Sequence, residues 1–367
     1  MEKNRRDWLK KIGVGVVGLG LVPYETFALP INSFPEKDTK NTLVRLSSNE
    51  NPYGPSKAAK DAMMESITLS NRYGWDITAE LVNLLGVKNN VPQNHILVSA
   101  GSTEILDLVA RFAALQKGNL VIPDPTFGYW ADTAEKLGLT KIKVPLTADK
   151  KIDLPRMLTS INSDTKLVYI CNPNNPTGTI CERNDLVQFI TQASKNSIVL
   201  VDEAYIDYTD QKSVSDLVLD NKNLIIVKTF SKVYGLAGAR IGYAIANSST
   251  IEKLTGLQTL TNGDVSVVSA AGAIAAIKDE NFVNTTKTLN QKTREYTIRE
   301  LEKLHIPCIP SAANFVYFSL KNYKKDFFHQ LKTNTIIGTK IYEQEGKWSR
   351  ITIGKMEEMQ KFIASLQ

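Results

Sequence analysis

The sequence has little of what builds metal centres or disulfide frameworks. Its 367 residues include three cysteines (Cys171, Cys181, Cys308) and three histidines (His95, His305, His329). Both sets are scattered, with none of the spacings of a zinc site or a cross-linked secreted domain, so no metal ligand is assigned. Charge of one sign is also missing. Lysine and arginine number 44 against 38 acidic residues, a formal net charge of +6. Met1 to Ala28 holds five basic and three acidic side chains, which leaves +4 spread over the remainder. That is too mild and too even for a nucleic-acid-binding surface. After residue 30 there is no internal repeat and no low-complexity tract. What remains is the composition of an ordinary globular enzyme, 43% hydrophobic and 22% charged, long enough for two domains.

The first thirty residues, "MEKNRRDWLKKIGVGVVGLGLVPYETFALP", read as an address. A basic region with Arg5-Arg6 leads into the apolar run Ile12 to Val22, followed by small residues and a possible cleavage point after Ala28. Eleven apolar residues are too few to span a bilayer comfortably as a helix. "RRDWLKK" resembles the twin-arginine export signal, with Trp8 where that motif usually has Phe. The expectation is a signal segment over 1–28 and a periplasmic protein. A basic amphipathic arm on a cytoplasmic protein is the alternative.

The middle of the chain alternates apolar runs with helical patterns. The runs are "HILVSA" (95–100), "NLVIPD" (119–124), "KLVYICN" (166–172), "SIVLVDEAY" (197–205), "NLIIVKTF" (223–230) and "RIGYAIA" (240–246). Between them lie helical segments such as 102–116 and 182–196. Near-continuous Val/Ile/Leu runs separated by helices predict an α/β fold with a mostly parallel sheet covered on both faces. Ligands in such sheets gather beyond the carboxyl ends of the strands. From about 265 the pattern predicts one long helical region to about Lys303, then "CIPSAANFVYFSL" (308–320) and a final strand at "SRITIG" (349–354).

Polar residues stand at the predicted strand ends. Lys232 follows "NLIIVKTF" in the stretch "KTFSKVYGLAGARIGY" (228–243), where an amine amid apolar neighbours has a lowered pKa and can form a Schiff base. Gly101-Ser102-Thr103 joins a strand to a helix, a place where backbone N–H groups and hydroxyls cradle phosphate. Read alone, Ser102 or Thr103 serves equally well as an ordinary helix cap. Ser231 and Arg240 could complete an anion site. Asp202 ends "SIVLVD", with Tyr205 three residues on. A carboxylate there can keep a pyridine nitrogen protonated, and Tyr205 with Asn175 could bond the ring's phenolic oxygen. Without that company, Asp202 is a turn cap and Tyr205 a core aromatic.

Six ordered segments carry a resemblance over about residues 45–355. They are "SSNENPYGPS" (47–56), "NPNNPTG" (172–178), "VDEAYIDY" (201–208), "FSKVYGLAGARIGY" (230–243), "ANFVYF" (313–318) and "RITIG" (350–354). With them the chain resembles the fold-type I, pyridoxal-phosphate-dependent aminotransferases of class I/II, most of all the histidinol-phosphate aminotransferase branch. The resemblance implies the cofactor pyridoxal 5'-phosphate, an amino donor, a keto-acid acceptor and a homodimer. It implies that Lys232 forms the internal aldimine and shuttles the proton. Asp202 matches the pyridine-nitrogen partner, and Tyr205 and Asn175 the contacts to the phenolic oxygen. Ser102, Thr103, Thr229, Ser231 and Arg240 match the phosphate contacts, and Phe127 stands where a Tyr commonly stacks on the ring. Arg350 matches the arginine that grips a substrate carboxylate. Asn49 and Tyr53 match residues that close over substrate, and Tyr73 one donated across a dimer interface to the neighbour's cofactor phosphate.

The sequence departs from that branch in places. Where a second arginine usually helps read the substrate's phosphate, Gly338 and Thr339 stand, with Lys340 as the nearby cation. Trp75 stands in "RYGWD", where Arg-Tyr-Pro-Asp is more usual. Two other activities share these motifs: a decarboxylase or lyase using the same cofactor, and a non-catalytic ligand-binding protein on the same scaffold. The expected organisation is an arm and part of a small domain over 29–70, a large cofactor domain over 71–264, and the rest of the small domain over 265–367.

Overall fold

The structure, a computed structural model, describes residues 43–258 and 265–367. The expected signal segment, and the start of the arm that follows it, lie outside the described residues.

The described chain opens with a short strand, β1 (Val44–Arg45). Then come β2 (Ile96–Ser99), β3 (Gly118–Asp124), β4 (Leu139–Pro145), β5 (Thr165–Cys171), β6 (Ile198–Asp202), β7 (Leu224–Thr229) and β8 (Gly242–Ala246). The last group is β9 (Cys308–Ile309), β10 (Phe315–Ser319), β11 (Ile336–Ile337), β12 (Ile341–Glu343) and β13 (Trp348–Thr352). Strands β2 to β8 form a seven-stranded sheet in the order β2-β8-β7-β6-β5-β3-β4. It is parallel except for β8, which runs against both of its neighbours. Strands β9, β10, β12 and β13 make a smaller antiparallel sheet, and β1 pairs with β11.

The apolar runs form the central strands because both of their faces are covered. Alternation sends Val168, Ile170, Val199, Val201, Leu224 and Ile226 into one core. It sends Leu167, Tyr169, Cys171, Leu200, Ile225 and Val227 into another. Helix Arg183–Ala193 buries Leu186, Phe189 and Ile190 on the first side, and helix Ser102–Ala114 buries Ile105, Leu106 and Val109 on the second. A third core lies against the smaller sheet, where Leu46, Val316, Phe318, Ile351 and Phe362 meet.

Two elements differ from expectation. Strand β4 has no apolar run to announce it, because it is an edge strand whose "LTKIKVP" pairs only with β3 and exposes Thr140, Lys143 and Pro145. The region after 265 is two helices, Val267–Lys278 and Glu280–Lys303. Asp279 breaks the run: its side chain accepts the Phe282 N–H and caps the second helix.

The carboxyl ends of β2, β5, β6 and β7 share one edge of the large sheet. Ser99, Cys171, Asp202 and Thr229 stand there, beside Gly242 at the start of β8.

Candidate active site

Lys232 sits three residues beyond the end of β7, in the turn that leads toward β8. Its Nζ donates to the Ser48 carbonyl at 3.2 Å and lies 5.6 Å from the Tyr205 ring centroid. Burial, followed by the positive field of Arg350, pulls its pKa down to about 8, against partial opposition from Glu50 and Asp202.

Asp202 is buried at the end of β6. One carboxylate oxygen accepts the Ala204 N–H at 3.0 Å and the other the Tyr169 hydroxyl at 3.0 Å. Burial pushes its pKa up to about 6, while those two hydrogen bonds and the charge of Lys232 restrain the rise.

Tyr205 lies just past Asp202, edge-on to Phe315 at 5.1 Å. Its hydroxyl oxygen accepts from Asn49 Nδ2 at 2.9 Å and from Asn175 Nδ2 at 3.3 Å. Two amides donating to one oxygen leave the phenol's own proton free to point outward. Burial raises its pKa well above the ordinary phenol value.

Arg350, on β13, reaches across to the same cluster. Nη1 donates to Asn175 Oδ1 and Nη2 to the Ser47 carbonyl at 2.7 Å, while the buried Nε has no partner. The guanidinium lies 5.3 Å from the ring centroids of both Phe315 and Tyr342. A buried donor left unpaired is costly.

The expected phosphate cradle has a definite shape. Gly101, with φ +87°, is the N-cap of helix Ser102–Ala114, and no side chain caps that end. Ser102 is the first helical residue, and Thr103 is exposed. A side chain at Gly101 would meet the Arg240 guanidinium at 2.3 Å, and one at Gly242 would meet the Ser102 nitrogen at 2.4 Å. Thr229 donates to Ser231 Oγ at 2.9 Å, and Arg240 adopts a left-handed φ of 52°. Unpaired helix-end N–H groups, a guanidinium held against glycine and two adjacent hydroxyls suit a phosphate. The residues present therefore fit pyridoxal 5'-phosphate.

Four expected residues stand apart or are otherwise engaged. Asn49 is buried, and besides Tyr205 it bonds Thr352 through both backbone and side chain (2.9 and 3.1 Å). Tyr53 is half-buried, with its phenol raised by burial. Tyr73 is 75% exposed and stacks on Trp75 at 5.5 Å. Phe127 is half-buried on the loop after β3, edge-on to Tyr129.

Sequence reading missed Tyr169. It follows from pairing: Cys171 faces Asp202 in the register of β5 with β6, so the residue two before Cys171 shares that face. The carbonyls of Ser47 and Ser48 were also missed, and no side-chain pattern could have signalled them.

Among known proteins, the family described as Aminotransferase class I and II matches residues 41–366. The histidinol-phosphate aminotransferase of Caldicellulosiruptor saccharolyticus is 35% identical over 343 residues, covering 92% of this chain and 95% of that protein. That of Moorella thermoacetica is 32% identical over 354 residues, covering 95% and 91%. The crystal structure of histidinol-phosphate aminotransferase from Sinorhizobium meliloti in complex with pyridoxal-5'-phosphate shares the fold. Its TM-score is 0.81 at 23% identity, covering 89% of this chain and 91% of that one.

Proposed function

Because this chain belongs to the class I and II aminotransferases, has their α/β fold and uses pyridoxal 5'-phosphate, we propose that Lys232 is its cofactor-linked proton carrier. The observation that carries the reading is the convergence of Lys232, Asp202, Tyr205, Asn175 and Arg350 on one sheet edge. It is a pyridoxal-phosphate-dependent aminotransferase of the histidinol-phosphate type, moving an amino group from a donor to a keto acid.

When bound, the cofactor supplies an electron sink for the pair left at the donor's Cα. Lys232 Nζ takes the Cα proton and returns it on the other side of the transfer. With its pKa near 8, about a tenth of the amine is neutral at pH 7 and able to act as base. Asp202, ionised at that pH, holds the proton on the cofactor's ring nitrogen. Tyr205 and Asn175 hold the ring's phenolic oxygen. Ser102, Thr103, Thr229, Ser231 and Arg240 hold its phosphate, and Phe127 covers the ring. Arg350 receives the donor's carboxylate with its free Nε and by exchanging its protein partners. Asn49 holds Tyr205 in place.

Lys340 extends the reading to the donor. Its Nζ lies 5.6 Å from the Tyr129 ring centroid and 5.8 Å from that of Tyr342, the ring that also contacts Arg350. A donor with a second anionic group beside its carboxylate would meet this cation; in histidinol phosphate, which has no carboxylate, the phosphate would stand in the carboxylate's place on Arg350 with Lys340 as a further cation. Two further parts of the proposal concern assembly and location. A homodimer covers the exposed apolar stretch Met64, Ile67, Leu69, Tyr73 and Trp75, with Tyr73 reaching the partner's phosphate site. The segment 1–28 directs twin-arginine export to the periplasm. The division at 70 and 264 does not follow the cores: Ala59, Val265, Ala270, Ala273 and Ile274 pack into the core of the large sheet, while Val44, Leu46 and residues from Leu301 on form the smaller core.

The test is an absorbance titration of the cofactor-loaded enzyme against aromatic, basic and phosphorylated amino donors. Conversion of the bound cofactor to its pyridoxamine form names the donor class. Carbon dioxide release without that conversion would instead identify a decarboxylase. Lys232→Ala should abolish turnover, and substantial remaining turnover would refute its assignment.

A further inference from the structure

We infer that Tyr169 is a positioning residue that keeps the Asp202 carboxylate ionised and aimed at the cofactor's ring nitrogen. The inference rests on the reading of Asp202 given above and adds a group that touches neither cofactor nor substrate.

Tyr169 is fully buried on β5, in the core between the sheet and helix Ser102–Ala114. Trp130 meets its ring edge-on at 4.9 Å, with 64° between the planes, which fixes where the hydroxyl points. That hydroxyl lies 3.0 Å from Asp202 Oδ2. Phenylalanine would fill the same apolar space, and a buried hydroxyl is costly unless it is paired. The hydroxyl's role is therefore the carboxylate, not the packing.

The Ala204 N–H holds Oδ1 while Tyr169 holds Oδ2, so the carboxylate plane is pinned from both sides. Donors on both oxygens favour the charged form. The other charged or titratable groups facing Asp202 are Lys232, which also favours its ionisation, and Glu203, which opposes it. Cys171, across the β5–β6 pairing, holds a thiol raised well above its usual pKa, partly by the same carboxylate. Of these, Tyr169 is the one that bonds the carboxylate directly through a side chain. Without it, Asp202 retains a proton more readily and competes with the ring nitrogen for it. A hydrogen bond to a charged group corresponds to about one to two pH units of proton affinity.

The experiment uses the holoenzyme loaded with cofactor labelled with nitrogen-15 in the ring, whose chemical shift reports the ring nitrogen's proton. In the parent the resonance should lie in the protonated range at pH 7. In Tyr169→Phe it should move toward the unprotonated position, with kcat down about tenfold and KM for the donor little changed. Trp130→Phe loosens the packing around the same ring and spares the hydroxyl, so it should leave the resonance in place. A Tyr169→Phe resonance coincident with the parent's overturns the inference. So does an equal movement in Trp130→Phe, which would make packing the cause. An unprotonated nitrogen in the parent overturns the reading of Asp202 itself, and the inference with it.

Discussion

Arg350 donates through Nη1 to the side-chain oxygen of Asn175, tying β13 of the smaller sheet to the turn after β5 of the larger one. Asn175 turns its amide nitrogen to Tyr205, so one side chain relays between the carboxylate-binding group and the ring-binding group. Arg350→Ala removes a buried, hydrogen-bonded cation. We expect kcat/KM for the amino donor to fall by about two to three orders of magnitude, mostly through KM. Steady-state kinetics across donor concentration checks this; unchanged kinetics would assign the carboxylate to another group.

The second prediction concerns pH and uses the cofactor-free protein. A neutral amine is the form that attacks an aldehyde, and the pKa of Lys232 is lowered from 10.5 to about 8. The rate of cofactor capture should therefore climb with pH and level off above about 8. An ordinary lysine would keep accelerating for more than two further pH units. Arg350→Ala should move that midpoint upward, because the arginine's charge is the largest contribution after burial. Stopped-flow absorbance measures both curves.

Gly101→Ala should weaken cofactor binding about fivefold or more. The added carbon would meet the Arg240 guanidinium at 2.3 Å, and a φ of +87° suits only glycine. A strained position of this kind costs about 1–3 kcal/mol. Equilibrium titration with pyridoxal 5'-phosphate gives the answer, and parent-like affinity would remove the phosphate from this helix end.

Lys340→Ala should discriminate among donors. Activity with a donor that carries a second anionic group should drop about tenfold or more, while a donor with an uncharged side chain should be almost unaffected. Equal effects on both would mean that the Lys340 amine near Tyr129 and Tyr342 does not read the donor.

If Tyr73 is shared across a homodimer, Tyr73→Ala should release cofactor faster, and mixing it with Lys232→Ala subunits should restore part of the activity. A monomer by analytical ultracentrifugation would sink this prediction. Replacing Arg5 and Arg6 with lysine should trap the protein in the cytoplasm, as cell fractionation would reveal.

The sequence by itself determined which strands are central and which residues stand at their ends. Val/Ile/Leu runs buried on both faces leave few alternatives, and ordered motifs around Lys232, Asp202 and Asn175 survive any uncertainty in the loops. It could not announce β4, since an edge strand paired on one side needs no apolar run. Nor could it place the break at Asp279, where a capping side chain competes with helix continuation. Only the tertiary structure decided that Asn49 is tied to Tyr205 and Thr352, that Arg350 is held by Asn175 and Ser47, and that Tyr169 bonds Asp202. Those contacts join residues from about 30 to just over 300 positions apart. Hydrophobic patterning selects which face of an element is buried. Which polar atoms then meet across that face depends on strand register and on how the two sheets are brought together.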